Sequence, residues 1–306
     1  MRKFLTVAAL AIVAGAATFW LVTAPRTLAA GDLPDHRGDP ANGRTIFFAA
    51  GCASCHAAPG TKGEAKLTLS GGLAMKTPFG TFHVPNISPD PAHGIGAWSD
   101  LDFVNAVMRG VSPGGRHYYP AFPYLSYQRM GVTDVLDLKA FIDTLPATAN
   151  DAPAHDLPPH LRWRRLLGGW KFLFMDNRPF VPIPGASAQV NRGAYLVTGP
   201  GHCGECHTPR NALGAPKEEL ALSGAPNPES RNPFPNITPH ADGIGSWSED
   251  DIAAALKTGL LPDLETFGGA MIAVQENLAE LTDVDRAAIA AYLKAVPPNP
   301  TPGKAR

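Results

Sequence analysis

"GCASCH", Gly51 to His56, is matched far downstream by "GHCGECH", Gly201 to His207. Two cysteines three residues apart with a histidine directly after the second form the C-x-x-C-H signature of covalent c-type haem attachment. On one helical turn both thiols reach porphyrin vinyl groups as thioethers, and the adjacent imidazole points at the iron. The chain has 4 cysteines, so both motifs are complete and none is left over for a disulfide. A shared zinc site would require the two pairs to meet across dissimilar loops. A thioredoxin-like dithiol would sit in a βαβ setting, which these Gly- and Pro-rich surroundings lack. The expectation is therefore two covalently bound haem c. Cys52, Cys55, Cys203 and Cys206 form the attachments, and His56 and His207 are the proximal iron ligands. The second ring nitrogen of each histidine is expected to donate to a backbone carbonyl, near Pro59 and Pro209 just downstream, which would fix the tautomer.

The similarity extends outward from the motifs. "PNISPDPAHGIGAWSD", Pro85 to Asp100, is matched by "PNITPHADGIGSWSE", Pro235 to Glu249. From Gly94 onward the copies run in constant register, pairing Trp98 with Trp247, Gly110 with Gly259, Ala121 with Ala270 and Thr133-Asp134 with Thr282-Asp283. Each copy opens with a short helical pattern, Gly43 to Ala50 or Gly193 to Thr198. Each has a helix after its tryptophan, capped by Ser99 or Ser248 with acids in the first turn. Each closes with an amphipathic helix capped at Thr133 or Asp134, and at Thr282 or Asp283, and ended by proline. The fold class expected is all-α: two tandem cytochrome c-like haem domains after an N-terminal anchor or signal segment. The boundaries are 1–30 for that segment, 31–148 for the first domain, 149–187 for a Pro-rich linker with an aromatic and basic strap, and 188–306 for the second domain.

The whole chain agrees with this reading. Its 306 residues, 44% hydrophobic and 17% charged, are enough for two cores. A net charge of −1 supplies no basic field for nucleic acid. The 31 glycines and 31 prolines predict short helices joined by turn-rich loops. Arg2 and Lys3 precede an uncharged run from Phe4 to Val22, which reads as an export signal. The run is long enough to span a bilayer as a retained anchor with the chain beyond it outside the cytoplasm. Thr27-Leu28-Ala29 also resembles a cleavage site, which would leave the protein in the periplasm. In the linker, Leu161 to Met175 combines Trp163, Trp170, Phe172 and Phe174 with Arg162, Arg164, Arg165 and Lys171. It reads as a strap packed across the two domains, with a membrane surface or a partner as the alternative.

The distal ligands differ between the copies. Met271, in the Gly-rich "FGGAMIAV", is the candidate sixth ligand of the second iron, because a thioether raises the potential and closes the coordination sphere. In register with it stands Phe122, which cannot bind iron. Met130, eight residues on, is the leading first-copy candidate; His117 and Met108 follow, and an open iron is the remaining possibility. Asn86, Asn236, Trp98 and Trp247 are candidate hydrogen-bond donors to haem propionates.

Several stretches together carry a family resemblance: "CASCHAAPG", "TPFGTFHVPNISPDPAHGIGAWSD", "RHYYPAFPY" and "NRGAYLVTGPGHCGECHTPRNALGA". The chain resembles the membrane-associated multi-haem cytochrome c subunits of periplasmic alcohol, aldehyde and gluconate dehydrogenases. That resemblance implies an electron-transfer subunit with no catalytic residues of its own. It would take electrons from a dehydrogenase and pass them to quinone, a cytochrome or an oxidase on the periplasmic side of the bacterial inner membrane. Those subunits have three haem motifs where this chain has two, and read A-M-P-Y where it has Ala121-Phe122-Pro123-Tyr124. The rival reading is a di-haem enzyme of peroxidase type, which requires an open first iron.

Overall fold

In the computed structural model, which describes residues 1–228 and 230–303, the apolar N-terminal run is one helix, α1 (Arg2–Val22), with no buried residue. Its 21 residues and mean hydropathy of 2.2 suffice to cross a hydrocarbon core of about 30 Å. The first half of the chain begins with α2 (Pro40–Ala49), where the Asp39 carboxylate accepts from the Ala41 N–H at 2.8 Å and proline stands in the first turn. There the missing proline N–H costs nothing. Helix α3 (Cys52–His56) carries the first motif. A hairpin follows, β1 (Ala74–Thr77) with β2 (Gly80–His83), pairing Ala74 with His83 and Thr77 with Gly80. Then come α4 (Asp100–Arg109), the short α5 (Tyr124–Tyr127) and α6 (Val132–Ile142). Linker helix α7 (Leu166–Phe174) leads to α8 (Ala188–Thr198), α9 (Gly204–His207) with the second motif, α10 (Glu249–Thr258), α11 (Ala270–Leu278) and α12 (Asp283–Ala295).

Several helix starts follow local capping chemistry. Ser99 and Ser248 each accept from the backbone N–H three residues on, and Asp102 and Asp251 return the bond to the serine N–H. These are complete capping boxes. Thr282 caps α12 by accepting from the Asp285 N–H at 3.1 Å. Helix α6 departs from expectation: it starts at Val132 with Gly131 as its uncapped first flank. The physical reason is that Asp134 is engaged elsewhere, accepting from Asn42 at 2.9 Å and from the Tyr195 hydroxyl. The hairpin is a second departure from a purely helical chain.

Each half is closed by one helix crossing, α2 on α6 and α8 on α12. A Cβ on Gly43 would stand 1.9 Å from the Asp137 carbonyl oxygen, and one on Gly193 the same distance from that of Ala288. The backbones therefore meet directly, and only glycine permits it. Around the first crossing Ile46, Phe47, Val104, Val135 and Ile142 form one core. Around the second, Leu196, Val197, Ile252, Ile289 and Leu293 form another. Phe48 packs on both. Ser54 donates to the Ala273 carbonyl at 3.2 Å and accepts from Asn277 at 2.8 Å, so α3 is fixed against α11 of the other half.

One buried charge sits at the first crossing. Asp137 is 4% exposed and accepts from the Asp39 N–H at 2.7 Å, Asn42 at 2.7 Å and the His36 ring at 2.6 Å. Burial pushes its pKa up, but these donors outweigh that and hold the carboxyl below its ordinary value. A depressed native pKa stabilises the fold above the ordinary carboxylate range and loses that contribution as pH falls through the native value. Asp137→Asn is therefore expected to lower stability at neutral pH by about 2 kcal/mol and to flatten the acid side of the profile. Urea midpoints measured from neutral pH downward would read this out, and parallel profiles for the two proteins would refute it.

Candidate functional site

The two attachment histidines are held by one repeated clamp. His56 Nδ1 donates to the Pro85 carbonyl at 2.9 Å, and His207 Nδ1 donates to that of Pro235 at 2.7 Å. The acceptors are thus the prolines of "PNIS" and "PNIT", not carbonyls near Pro59 and Pro209. Backbone pairing brings them into place. The Gly71 N–H donates to the His56 carbonyl at 2.7 Å and Ile87 to Leu69 at 3.0 Å; Gly224 to His207 at 2.8 Å and Ile237 to Leu222 at 2.9 Å repeat this. A Cβ on Gly71 would lie 2.5 Å from the Pro85 carbonyl carbon, which is why glycine stands there.

This geometry suits an iron-bound porphyrin. Burial lowers the His56 imidazole to about 4 against the opposing pull of the Pro85 carbonyl, and lowers His207 likewise. Both rings are neutral near neutral pH, with Nδ1–H committed to a carbonyl and Nε2 the nitrogen left for a metal, as a metal-ligating histidine requires. Burial pushes the Cys52 and Cys203 thiols up to about 12, so both are protonated near neutral pH. Cys52, Cys55, Cys203 and Cys206 would make the attachments, and His56 and His207 would hold the irons.

The asparagine side chains have protein partners. Asn86 donates to the Thr148 carbonyl at 2.6 Å and the Asn150 carbonyl at 3.0 Å, and accepts from the Ser88 N–H at 2.8 Å. Asn236 donates to the Asn299 carbonyl at 2.8 Å and accepts from the Thr238 N–H at 2.8 Å. Their amide hydrogens tie the segment after each closing helix to the proline loop. They hold the histidine acceptor in place. Trp98 and Trp247 are half-buried against the two cores, and their indole N–H groups have no protein acceptor among the described residues.

Among the candidate distal ligands, Met271 lies in the first turn of α11, after Gly269 at φ 58°, and not in a loop; it is half-buried on the second core. Phe122 packs on the first core with its ring edge-to-face to Tyr118 and Tyr127, centroids 6.0 and 5.5 Å away. Met130 is 1% exposed in that core, its Cγ beside Gly199 of the other half. Met108 is a core residue of α4. His117 is turned toward the N-terminal segment, pairing through Nε2 with the Thr23 carbonyl at 3.0 Å. Its other ring nitrogen, Nδ1, is buried with no hydrogen-bond partner among the described residues.

Sequence reading missed the junction between the two motifs. The ring of His202, directly before Cys203, pairs through Nε2 with the Ala50 carbonyl at 3.2 Å. The Tyr127 hydroxyl donates to the same oxygen at 3.4 Å, and the two rings meet edge-to-face at 5.6 Å. Ala50 is two residues before Cys52. The motifs are thus joined through one carbonyl, and the only signal was a histidine with no partner in the other copy.

The cytochrome c family matches residues 40–146. A diheme cytochrome c-type protein of Cereibacter sphaeroides is 50% identical over 302 residues, covering 97% of this chain and 99% of that protein. The cytochrome c subunit of an alcohol dehydrogenase (quinone) from Gluconacetobacter polyoxogenes is 39% identical over 81% of this chain. That of a gluconate 2-dehydrogenase from Pantoea cypripedii is 36% identical over 88%. The chain spans 54% and 63% of the length of these last two.

Proposed function

From the premise that this chain belongs to the di-haem c-type cytochromes related to dehydrogenase cytochrome subunits, we propose that it relays electrons from a partner dehydrogenase to quinone or another respiratory acceptor. It carries two covalently bound haem c and is an electron-transfer component, not the catalyst. When bound, each haem supplies a one-electron iron couple. The chain's part is to hold two tandem haem domains in fixed relation. The Pro85 and Pro235 clamps orient the proximal imidazoles, and Met130 and Met271 are the proposed distal ligands that keep water and small ligands off the irons.

The observation that carries this reading is the His202–Ala50–Tyr127 junction. A catalyst needs one accessible iron, whereas a relay needs two centres linked through short contacts, and here the histidine directly before Cys203 bonds to the carbonyl of Ala50, two residues before Cys52. The test is to purify the full chain with its dehydrogenase and add that enzyme's substrate. Substrate is expected to reduce both haems, quinone to reoxidise them, and His202→Leu to separate haem reduction into a fast and a slow phase. A protein that ignores the dehydrogenase but turns over peroxide and binds carbon monoxide would overturn the relay.

Helix α1 is proposed to remain as a membrane anchor, with the haem domains on the periplasmic side. Support comes from the segment that follows it. Thr23 is 2% exposed, and its carbonyl is bonded to His117. Leu28 exchanges two hydrogen bonds with the Asn105 side chain, at 2.7 and 3.2 Å. Cleavage after Ala29 would discard a segment that completes the first half.

A further inference from the structure

Helix α7 is built inside out. Its one charged residue, Lys171, is 8% exposed, donating to the Arg109 and Gly110 carbonyls at 2.6 and 2.7 Å and lying 4.4 Å from the Tyr124 ring centroid. Its outward residues are apolar: Leu166, Phe172 and Leu173 are 43, 56 and 64% exposed, and Trp163 just before the helix is 54% exposed. A helix facing water has the opposite polarity. Single exposed apolar residues need no explanation, but a patch of them does.

The position of the helix identifies what covers this face. A Cβ on Gly168 would stand 2.2 Å from the Thr23 carbonyl oxygen, so α7 lies directly on the exit of α1. Arg165 donates through Nε to Thr23 Oγ1 at 2.8 Å and through a second nitrogen to the Trp20 carbonyl, with its guanidinium 4.3 Å from the Trp20 ring. The Trp163 ring meets that of Phe19 at 5.5 Å, level with the last turn of the apolar helix. No acidic residue occurs between Asp156 and Asp176, while Arg162 and Arg26 are exposed nearby. Basic and aromatic residues flanking an apolar face are what an anionic lipid interface binds.

We propose that α7 lies in the headgroup and acyl boundary of the outer leaflet, with Leu166, Phe172 and Leu173 toward the acyl chains and Arg162, Trp163 and Arg26 among the headgroups. The chain then meets the bilayer at two points, α1 crossing it and α7 lying on it, which fixes the orientation of both haem motifs. This rests on α1 being retained as a span.

The experiment uses the full holoprotein in nanodiscs of phosphatidylethanolamine and phosphatidylglycerol containing a lipid with a diazirine in its acyl tail. After irradiation, adducts are expected on peptides covering residues 2–22 and 163–173. Leu166→Glu with Leu173→Glu should lose the second set, keep the first and leave the haem spectra unchanged. Adducts on α1 alone in the unmodified protein would overturn the proposal while leaving the anchor intact. Adducts on neither would overturn both. Absence of α7 adducts together with protection of that face when a dehydrogenase is added would assign it to a protein partner and overturn the lipid assignment.

Discussion

Gly193→Val is expected to unfold or strongly destabilise the second half of the protein, by at least about 3 kcal/mol out of a total of about 5–15 kcal/mol. The cause is geometric. The first atom of any side chain at this position would be placed 1.9 Å from the Ala288 carbonyl oxygen and 2.8 Å from the Tyr292 Cβ. No rotamer change relieves a clash between a Cβ and a backbone carbonyl, so α8 and α12 must separate. Separation exposes Leu196, Val197, Ile289 and Leu293, all at most 6% exposed in the native packing. It also loosens α9, which follows α8 directly, and with it the second attachment motif. Gly43→Val is expected to do the same to the first half, where Asp137 supplies the opposing carbonyl. Gly31, with nothing near its notional Cβ, is the control: Gly31→Val should lie within about 0.5 kcal/mol of the unmodified protein. Denaturation of the holoprotein, followed by circular dichroism and haem absorbance, would measure each. An unchanged midpoint for Gly193→Val would refute the proposed crossing.

Much of this architecture was legible in the sequence because it is specified locally. C-x-x-C-H is a contiguous motif, and Ser99 with Asp102 or Ser248 with Asp251 forms its bonds within one turn. The features missed depend on distant partners. Pro59 and Pro209 were expected near the histidines because they are close in sequence. Pro85 and Pro235 reach the same rings only through pairing across a long loop, and nothing adjacent to His56 or His207 announces it. Asn86 and Asn236 were assigned to haem carboxylates because a polar residue beside a cofactor invites that role, yet their acceptors lie beyond the closing helices. Asp134 illustrates the same conflict: it is a reasonable cap by local rules, but Tyr195 of the other half takes its carboxylate. For α7, composition revealed an aromatic and basic segment but not its rotation, which turns Lys171 inward onto the carbonyls of Arg109 and Gly110 at the end of α4. Phe267-Gly268-Gly269 read as a loop around Met271, but the glycines only precede the helix, so the methionine stands in its first turn.

Met271→Ala and Met130→Ala are expected to have different consequences depending on whether each thioether binds iron, and the comparison decides how the two halves work. A buried methionine serving only as core filler costs about 2–5 kcal/mol when cut to alanine and leaves the haem spectra as they were. A methionine on the iron does more: its removal abolishes the sulfur-to-iron charge-transfer absorption of one haem, lowers that haem's potential and opens a site for carbon monoxide. Met271 is half-buried at the start of α11, so its loss should affect the second haem strongly and global stability little. Met130 is fully buried beside Gly199, so its loss should lower stability as well as change the first haem. Phe122 makes this pair informative, because it occupies the register position of Met271 in the first half and offers no lone pair. Carbon monoxide binding is therefore expected to be nil in the unmodified protein and one equivalent in each single variant. If Met130→Ala is destabilised with unchanged spectra while the unmodified protein already takes up one equivalent, the first iron is open behind Phe122, and the assignment of Met130 as a ligand fails.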